Sequence, residues 1–459
     1  MKKQPVNETE SKYDSGNRRD FLKKASIGGL GVGMFGINNS IDILNNPNNI
    51  QDSSTAKKIR ITDVRCAIIG RSPIVRITTD QGITGYGQAE TSKTYLKPFV
   101  LFYKDYLIGE DPTNVERCMM KIRRMGGFKP WGAAVSIIEH ALWDIAGKVA
   151  NVPVYKLLGG KIRDQIRVYN TAVHRFPIKG TEPGHYADSV ASNMESGEGF
   201  TIIKHGIGFH SRMGATPDFY YGAPPVSKSP KSTPHPYRGP LTEKGLKHMI
   251  AVVEAMKKVM GDKVGLALDC GPGYMVSDAI RIAKAMEPYN LMWLEDLVTG
   301  DYNPYVMADL TREVTQATTT PTHTGEQIYL RQNFRELIEQ HAVRIIGPDP
   351  ADVGGLAELK WIAEYADLHS IQMAPHGIFN GLFGLAAHIQ VGATMPENFI
   401  AFEYPAADPE WWYDIVDGLP DTIVKNGFVD VWDRPGLGLD FIVKAAKNHL
   451  SEEDRKFFD

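Results

Sequence analysis

The sequence predicts an α/β protein whose largest part is a (β/α)₈-type barrel, preceded by a small α+β domain. Eight short β-rich runs alternate with helical stretches over about 240 residues, which is the size and rhythm of such a barrel. The 44 glycines and 28 prolines are spread along most of the chain, as the many loops of a barrel require. A hairpin-like pattern and then a helical pattern precede the first of the eight runs.

The first domain is predicted over residues 58–165. Two alternating runs at 59–68 and 74–79 indicate an antiparallel hairpin. A helix is predicted at 133–149, where five apolar residues share one face: Ile137, Ile138, Ala141, Leu142 and Ile145.

The barrel is predicted over residues 166–404. Its eight strands are expected at 166–172, 200–206, 264–270, 291–296, 322–327, 343–349, 370–376 and 399–403. After residue 404 the sequence returns to a hairpin-like pattern, chiefly at 422–431, and we expect residues 405–459 to pack back on the first domain.

The composition excludes several functional classes. With 459 residues, 42% hydrophobic and 23% charged, the chain can bury a large core and is not a disordered tail. Its net charge of −3 provides no positive field for a polyanion, so nucleic acid is not expected as a partner. Three distant cysteines, Cys66, Cys118 and Cys270, predict no disulfide. We expect a homo-oligomer.

The N-terminus has the layout of a twin-arginine export signal, which we place at residues 1–37. Arg18 and Arg19 lie in a basic stretch that is followed by an uncharged run from 25 to 37, too short to span a bilayer. The alternative is an internal helix that happens to carry two arginines. No small-x-small cleavage site follows, so the segment is either removed or retained as an anchor. Residues 38–57 are interpreted as a linker, the compartment as the periplasm, and the export machinery as a partner.

Residues 207–240 interrupt the rhythm of the barrel after its second strand. They contain seven prolines between Pro217 and Pro240. Loops of this length are usually functional lids or disordered insertions, and we interpret this one as a lid-like insertion. Its side chains suited to a polar ligand include His210, Arg212, His235, Tyr237 and Arg238.

Three predicted strands end in an acid: Asp269, Glu295 and Glu326. Because parallel barrel strands deliver their C-terminal ends to one mouth, the three carboxylates should converge. Three carboxylates in one place repel one another, and proteins usually compensate such a charge with a bound divalent cation. Mg²⁺, a hard cation that prefers oxygen ligands, fits this site. The alternative for any one buried acid is an ion pair or a helix cap.

Strand alternation predicts which neighbours share the barrel interior. If Asp269 points inward, Cys270 points outward, which disfavours a thiol ligand. The same parity places Lys204 inward and His205 outward. We therefore interpret His205 as a packing residue and not as a catalyst.

Two further strands supply a candidate base. One ends at Asp349 and the next at His376, and an acid beside a histidine fixes its tautomer and raises its basicity. We predict that this pair is catalytic, the alternative being a structural histidine at the start of a loop. The eighth strand adds the carboxyl group of Glu403 beside it.

These residues resemble the enolase superfamily, and within it the mandelate racemase subgroup with its acid-sugar dehydratases. The resemblance covers about residues 58–440 and is carried, beside the acids, by Ile138-Glu139-His140-Ala141-Leu142-Trp143-Asp144-Ile145-Ala146-Gly147-Lys148, Leu157-Leu158-Gly159-Gly160-Lys161, Gly354-Gly355, Pro375-His376-Gly377 and Pro435-Gly436-Leu437-Gly438. It implies a TIM-like (β/α)₇β barrel with an α+β capping domain built from the N-terminal region and the C-terminal tail.

The resemblance also implies roles for the site residues. The implied Mg²⁺ ligands are Asp269, Glu295 and Glu326. The implied catalytic residues are the Asp349/His376 dyad, Lys204 as the first lysine of a Lys-x-Lys motif, and Glu403 as a partner of the substrate carboxylate or an enediolate oxygen.

Two positions depart from the pattern of the family. Gly206 stands where many relatives place a second basic residue, and Gly271 where some dehydratases carry histidine or asparagine. Racemisation needs a base on each face of the substrate, whereas β-elimination can use one histidine as base and acid.

We therefore predict a hydro-lyase that removes the proton next to the carboxylate of an aldonate-like sugar acid and eliminates water to give a 2-keto-3-deoxy acid. The alternatives are a racemase or epimerase of a hydroxy acid, with Lys204 as second base, and a non-catalytic sugar-acid binder. Candidate partners for the substrate hydroxyls are Arg71, Glu90 and Thr91 in the capping domain and Arg212, His235 and Arg238 in the insertion.

The export hypothesis is tested by replacing both arginines that the export receptor would recognise. Arg18→Lys together with Arg19→Lys should leave the precursor in the cytoplasm of its native host, as cell fractionation would show. An unchanged periplasmic yield would contradict the interpretation of the N-terminus.

Overall fold

The computed structural model describes residues 58–127, 129–207, 211–222, 240–271, 273–298, 306–405 and 409–459. The predicted signal at 1–37 and linker at 38–57 lie outside the described residues. Residues from Ile59 to Asp459 belong to one compact unit. Among the described helices, none combines the length and the apolar character needed to cross a bilayer.

The capping domain contains a three-stranded antiparallel sheet in the order β1-β2-β3. The strands are β1 Ile61–Ile69, β2 Ser72–Thr79 and β3 Thr84–Gln88, so the predicted hairpin is confirmed. The following helices are α1 Lys97–Phe102, α2 Lys104–Leu107, α3 Val115–Ile122, α4 Lys129–Ala150 and α5 Val154–Leu157.

The helix α4 packs directly on the sheet because β3 presents glycines to it. A Cβ atom at Gly85 would collide with the backbone oxygen of Ala141, and one at Gly87 with that of Ile137. The apolar stripe predicted on this helix is buried in the core of the capping domain. Backbone contact of this closeness is possible only where the strand has no side chain.

Eight parallel strands form the barrel, as predicted. They are β4 Gln165–Thr171, β5 Ile202–Gly206, β6 Gly265–Asp269, β7 Leu294–Glu295, β8 Thr322–Thr324, β9 Ile345–Ile346, β10 Gln372–Met373 and β11 Phe402–Glu403. Neighbouring strands pair in sequence order from β4 to β10, and β11 pairs with β4. The backbone nitrogen of Ile400 donates to the oxygen of Met373 at 2.8 Å, which joins the last strand segment to β10.

Helices follow the first seven barrel strands, which gives the (β/α)₇β pattern. They are α6 Ala172–Arg175, α7 Pro183–Met194, α8 Glu243–Met260, α9 Val276–Met286, α10 Ala308–Gln316, α11 Arg335–Glu339, α12 Leu356–Leu368 and α13 Gly381–Gly392. Short 3₁₀ helices lie at Thr94–Leu96, Arg123–Gly126, Arg212–Ala215, Glu287–Tyr289, Arg331–Phe334, Glu410–Asp414 and Lys447–His449.

The C-terminal tail forms only a short part of the hairpin predicted at 422–431, namely the antiparallel bridge between Lys425 and Phe428. Its strand β13, Phe428–Asp430, pairs antiparallel with β4 of the barrel, while β12 Val416–Asp417 pairs with β14 Asp440–Phe441. The short helix α14 is Val443–Ala446. Asp454 then accepts a hydrogen bond from the backbone of Ile68 at 2.9 Å. The tail therefore contacts the barrel as well as the N-terminal sheet.

The described part of the insertion differs from a lid because it contributes side chains to the core. Met213 and Phe219 are buried in the main core, and Tyr220 pairs with Leu241. His210, His235, Tyr237 and Arg238 lie outside the described residues. Residues such as Phe219 belong to the core, and their removal would destabilise the fold. The lid interpretation therefore applies mainly to the residues of 207–240 that are not described.

All three cysteines are free and buried, which confirms the prediction of no disulfide.

The barrel interior below the site is filled by one cluster of side chains: Tyr169, Ile202, Ala267, Trp293, Ile345, Ala374 and Ala401. Trp293 lies edge-on to Tyr169, with ring centroids 5.2 Å apart. These side chains form a rigid floor for the groups above them.

Asp144 joins the capping domain to the C-terminal tail. This fully buried carboxylate accepts hydrogen bonds from the backbone nitrogens of Tyr86 at 3.1 Å and Leu437 at 2.9 Å, and pairs with Lys148 at 2.9 Å. Strand β3, helix α4 and the tail therefore all depend on one side chain.

Asp144→Asn should lower the free energy of unfolding by ~3 kcal/mol, because an amide NH₂ would face a backbone N–H and Lys148 would keep only Asp440 as a carboxylate partner. Urea denaturation measures the change. The matched control is Asp417→Asn, which removes an exposed pair with Arg434 and should cost less than about 1 kcal/mol. Equal losses in both variants would contradict this account of Asp144.

Candidate active site

The predicted metal ligands lie at the C-terminal end of the barrel. Asp269 and Glu295 are the last residues of β6 and β7 and are direct neighbours in the strand register. Glu326 follows β8 by two residues. Glu295 is fully buried, whereas the other two acids are partly accessible. The strands therefore bring the three acids to one mouth.

Lys204 lies between two of the acids of this mouth. Its Nζ is 2.7 Å from Oε1 of Glu295 and 3.1 Å from Oε1 of Glu403, and it lies 5.5 Å from the ring centroid of Tyr169. Burial alone would lower the pKa of Lys204, but the charges of Glu295 and Glu403 outweigh it and raise the pKa well above its usual value. Lys204 is thus a permanent cation inside the barrel.

The strand alternation predicted for β5 is confirmed. Lys204 faces the barrel interior, and the ring of His205 lies 5.4 Å from that of Tyr186 on helix α7. Cys270 is buried in the main core cluster. His205 and Cys270 therefore contribute packing and not chemistry.

Glu295 is buried and has several other carboxylates near it. Its Oε2 accepts a hydrogen bond from Nε1 of Trp293 at 3.0 Å, while Lys204 holds Oε1. Burial raises the pKa of Glu295 to about 8, and the charges of Asp269, Glu326 and Glu403 add to this effect against the opposing charge of Lys204.

The dyad predicted from the sequence is formed. Nδ1 of His376 lies 2.7 Å from Oδ2 of Asp349, and its Nε2 lies 3.3 Å from Oε2 of Glu326 and 3.6 Å from Oε2 of Glu403. Burial would lower the pKa of His376, but the charges of Glu326 and Glu403 and the hydrogen bond to Asp349 raise it well above its usual value.

Glu403 is fixed by three partners. Thr171 donates its hydroxyl to Oε1, the backbone nitrogen of Gly377 donates to Oε2 at 3.1 Å, and Lys204 pairs with Oε1. Burial acts against ionisation, but Lys204 and His376 together with these donors lower the pKa of Glu403 to about 2. This carboxylate stays ionised and points toward the dyad.

A carboxylate of the capping domain also reaches the dyad. Ligand atoms of Glu90, Asp349 and His376 all lie within 4.8 Å of one another, and this is the only such acid or histidine group in the part of the chain that the structure describes. Glu90 pairs with Lys93 at 2.5 Å, and Lys93 lies 3.5 Å from Asp352. The three predicted metal ligands do not form a group within that distance among the described residues.

The donor set nevertheless fits a hard divalent cation. Asp269, Glu295 and Glu326 offer only carboxylate oxygens, the ligands that Mg²⁺ prefers. Burial raises the pKa of Glu295 and the charges of the neighbouring acids add to this, and a bound cation would relieve both effects. Their role as ligands remains a prediction.

The other predicted substrate contacts have different surroundings. Thr91 is half-buried, bonds the hydroxyl of Ser72 at 3.0 Å and donates its backbone nitrogen to the oxygen of Phe379 at 2.9 Å. Arg71 is exposed and donates to the hydroxyl of Ser92. The side chains of Arg212, His235 and Arg238 lie outside the description.

Sequence reasoning missed three residues that contact the site, namely Thr171, Lys93 and Asn380. Thr171 ends strand β4, so the same strand-end argument that found the acids could have found it. Lys93 lies on a capping-domain loop, and no local pattern places that loop beside the dyad. Asn380 donates its side-chain amide to Asp349 at 2.8 Å, a contact between two different loops that no local pattern predicts.

Two family matches cover most of the described chain. Residues 61–159 match "Mandelate racemase / muconate lactonizing enzyme, N-terminal domain" and residues 188–445 match "Enolase C-terminal domain-like". The chain is therefore a member of the mandelate racemase subgroup of the enolase superfamily, a family of enzymes.

Particular relatives agree with this assignment. The chain is 32% identical to a D-xylonate dehydratase of Haloferax volcanii, over 91% of this chain and 94% of the relative. It is 30% identical to a D-mannonate dehydratase of Caulobacter vibrioides, over 85% and 95%. A mandelate racemase/muconate lactonizing enzyme-like protein from Rubrobacter xylanophilus superposes with a TM-score of 0.73 at 32% identity, covering 86% of this chain and 99% of that one.

Proposed function

We propose that the chain is a Mg²⁺-dependent sugar-acid dehydratase. It would remove the proton next to the carboxylate of an aldonate, expel the β-hydroxyl group as water and release a 2-keto-3-deoxy acid. The observation that carries the proposal is the Asp349/His376 dyad, 2.7 Å apart, facing strand-end acids in a chain whose relatives are named D-xylonate, D-galactonate and D-mannonate dehydratase.

The proposed cation would be held by Asp269, Glu295 and Glu326. When bound, Mg²⁺ supplies Lewis-acid stabilisation of the negative charge that develops on the substrate carboxylate during proton abstraction. Enolase superfamily members generally bind this ion, which supports the choice over other hard cations.

In this proposal His376 takes the α-proton at Nε2, the ring nitrogen that does not face Asp349. Asp349 accepts the hydrogen of Nδ1 and so selects the tautomer with a free lone pair at Nε2. A histidine must be neutral to act as a base. Glu326 lies 3.3 Å from Nε2, and compensation of its charge by the proposed cation would lower the pKa of His376 toward neutral pH.

Lys204 and Glu403 would stabilise and orient the reacting carboxylate. The ammonium group of Lys204 is a preformed positive charge in a water-excluded site, where it acts on developing negative charge at no cost of reorganisation. The carboxylate of Glu403 is fixed by Thr171 and Gly377 beside the dyad.

Elimination is favoured over racemisation by the surroundings of Lys204. A two-base racemase needs a second base on the face opposite His376, and Gly206 offers no side chain there. Lys204 itself is held by Glu295 and Glu403 at 2.7 and 3.1 Å, contacts that favour its charged form. The single histidine can instead return its proton to the departing hydroxide on the same face.

Glu90 is the best supported of the proposed substrate contacts. Its buried carboxylate lies beside the dyad and could accept a hydrogen bond from a substrate hydroxyl group. A polyhydroxylated acid has the donors that such an acceptor requires.

We also propose that the enzyme acts in the periplasm, on the basis of the twin-arginine pattern alone.

The cation proposal predicts a pH-dependent stability. The pKa of Glu295 is raised from 4.5 to about 8 in the folded protein, so the unfolded chain ionises first as pH rises. With chelator present, the free energy of unfolding should therefore fall between pH 5 and 8, in part through Glu295. Mg²⁺ at 100 times its Kd should restore about 2.7 kcal/mol near pH 8, and less near pH 5 where protons compete.

Two variants locate the ion in the same unfolding experiment. Asp269→Asn should abolish the stabilisation by Mg²⁺, whereas Glu90→Gln should keep it. The opposite result would assign the ion to the group formed by Glu90, Asp349 and His376. Full turnover in excess chelator would exclude the requirement for a cation.

The reaction itself is tested on D-xylonate, D-mannonate and D-galactonate with Mg²⁺, by detection of a 2-keto-3-deoxy product. In D₂O, His376→Asn should lose both dehydration and exchange of the α-proton, because no second base remains, and Asp349→Asn should lose roughly 100-fold in rate. His341→Asn, an exposed histidine, is the matched control and should retain activity.

Exchange that survives in His376→Asn for a single substrate epimer would favour the two-base racemase instead. Deuterium in recovered substrate without loss of water would lead to the same conclusion for the unmodified enzyme. Binding of a sugar acid with neither exchange nor product would indicate a non-catalytic binder.

A further inference from the structure

The carboxylate of Asp349 is engaged on both oxygens. Oδ2 faces His376, while Oδ1 accepts hydrogen bonds from the side-chain amide of Asn380 at 2.8 Å and from the backbone nitrogen of Ala351 at 2.7 Å. The carboxylate plane is thereby fixed from the side opposite the imidazole. A group that holds Asp349 also determines where Nε2 of His376 points.

Asn380 makes this contact instead of the one its position favours. It is the N-cap residue of helix α13, where an asparagine side chain ordinarily accepts a hydrogen bond from a backbone N–H of the first turn. Its side chain makes no such cap bond. Its backbone is helical, with φ −77° and ψ −9°, and the fully buried amide is directed to Asp349.

The orientation of the amide follows from its neighbours. An amide oxygen placed against the carboxylate of Asp349 would be repelled, so the nitrogen must face it. The second N–H of that nitrogen lies toward Nε2 of His388, at 3.2 Å. Among the described residues, no donor reaches Oδ1 of Asn380. Both hydrogens of the amide nitrogen are therefore committed, one to Asp349 and one to His388.

His388 is suited to accept that second hydrogen. Burial lowers its pKa to about 4, so the imidazole is neutral near pH 7. Its ring stacks on Phe402, with centroids 4.7 Å apart, directly before Glu403. A Cβ atom at Gly377 would collide with the same ring, so His388 is closely confined.

We propose that Asn380, supported by His388, is a positioning residue for the catalytic dyad. It fixes the carboxylate of Asp349 and, through it, the ring of His376. The side-chain hydrogen bonds of Asn380 go to Asp349 and His388 and not to the proposed cation ligands. The inference rests on the proposed function only in that the reaction provides one of its measurements.

Asn380→Ala should lower kcat about 10- to 100-fold and leave KM within about threefold, because it affects the orientation of the base and not substrate binding. The matched control is Asn398→Ala. That amide also makes two hydrogen bonds, to the backbone oxygens of Ala363 and Ile371 at 3.1 and 2.9 Å. The control should lower Tm but leave kcat unchanged.

A double-mutant cycle separates positioning from general damage. If Asn380 acts through Asp349, then Asn380→Ala should reduce kcat little further when Asp349→Ala is already present. Additive losses, or equal losses of kcat in Asn380→Ala and Asn398→Ala, would overturn the proposal.

A second measurement does not depend on turnover. The Nδ1 proton of His376, assigned by its disappearance in His376→Asn, should give a downfield proton NMR signal that exchanges faster with water in Asn380→Ala. An unchanged signal would overturn the positioning role. If the signal responds as expected but no sugar acid is dehydrated, the proposed function fails and the positioning role stands.

Discussion

The site depends on the balance of charge at the C-terminal mouth of the barrel. Asp269, Glu295, Glu326 and Glu403 bring their carboxylates to one place, and Lys204 and His376 are the cationic groups among them. A buried cluster of like charges is tolerated only where cations and hydrogen-bond donors compensate it. The excess of carboxylates destabilises the fold but favours binding of a divalent cation, and Lys204 favours binding of an acid substrate.

The rest of the barrel holds these charges in place. Trp293 stands under Glu295 and donates to it, and its ring packs on Tyr169 and stacks on His323. The capping domain closes the other side, where Glu90 approaches the dyad and Lys93 lies between Glu90 and Asp352. The barrel thus supplies the reacting groups, and the capping domain supplies a polar surface above them.

Strand periodicity and the strand-end rule predicted much of this arrangement. Eight runs gave eight parallel strands, and parity placed Lys204 inside and His205 outside. These features can be predicted from short stretches of sequence, because successive side chains of a strand point to opposite faces. The proximity of Asp349 to His376 followed from adjacent strands ending at the same edge.

Contacts between distant segments could not be predicted in this way. An asparagine before a helix predicts a cap, yet Asn380 turns to Asp349 because the tertiary structure offers it a charged acceptor. Strand β13 has hairpin-like sequence but pairs with β4, whose edge only the folded barrel presents. The buried Phe219 lies in the segment that the sequence predicted to be a lid-like insertion.

Anomalous diffraction from crystals grown with Mn²⁺, which takes the same oxygen ligands as Mg²⁺, tests the account of the charge balance most directly. The account predicts one strong peak among the carboxylates of Asp269, Glu295 and Glu326. A peak at Glu90, Asp349 and His376 alone, or none at the barrel mouth, would contradict it.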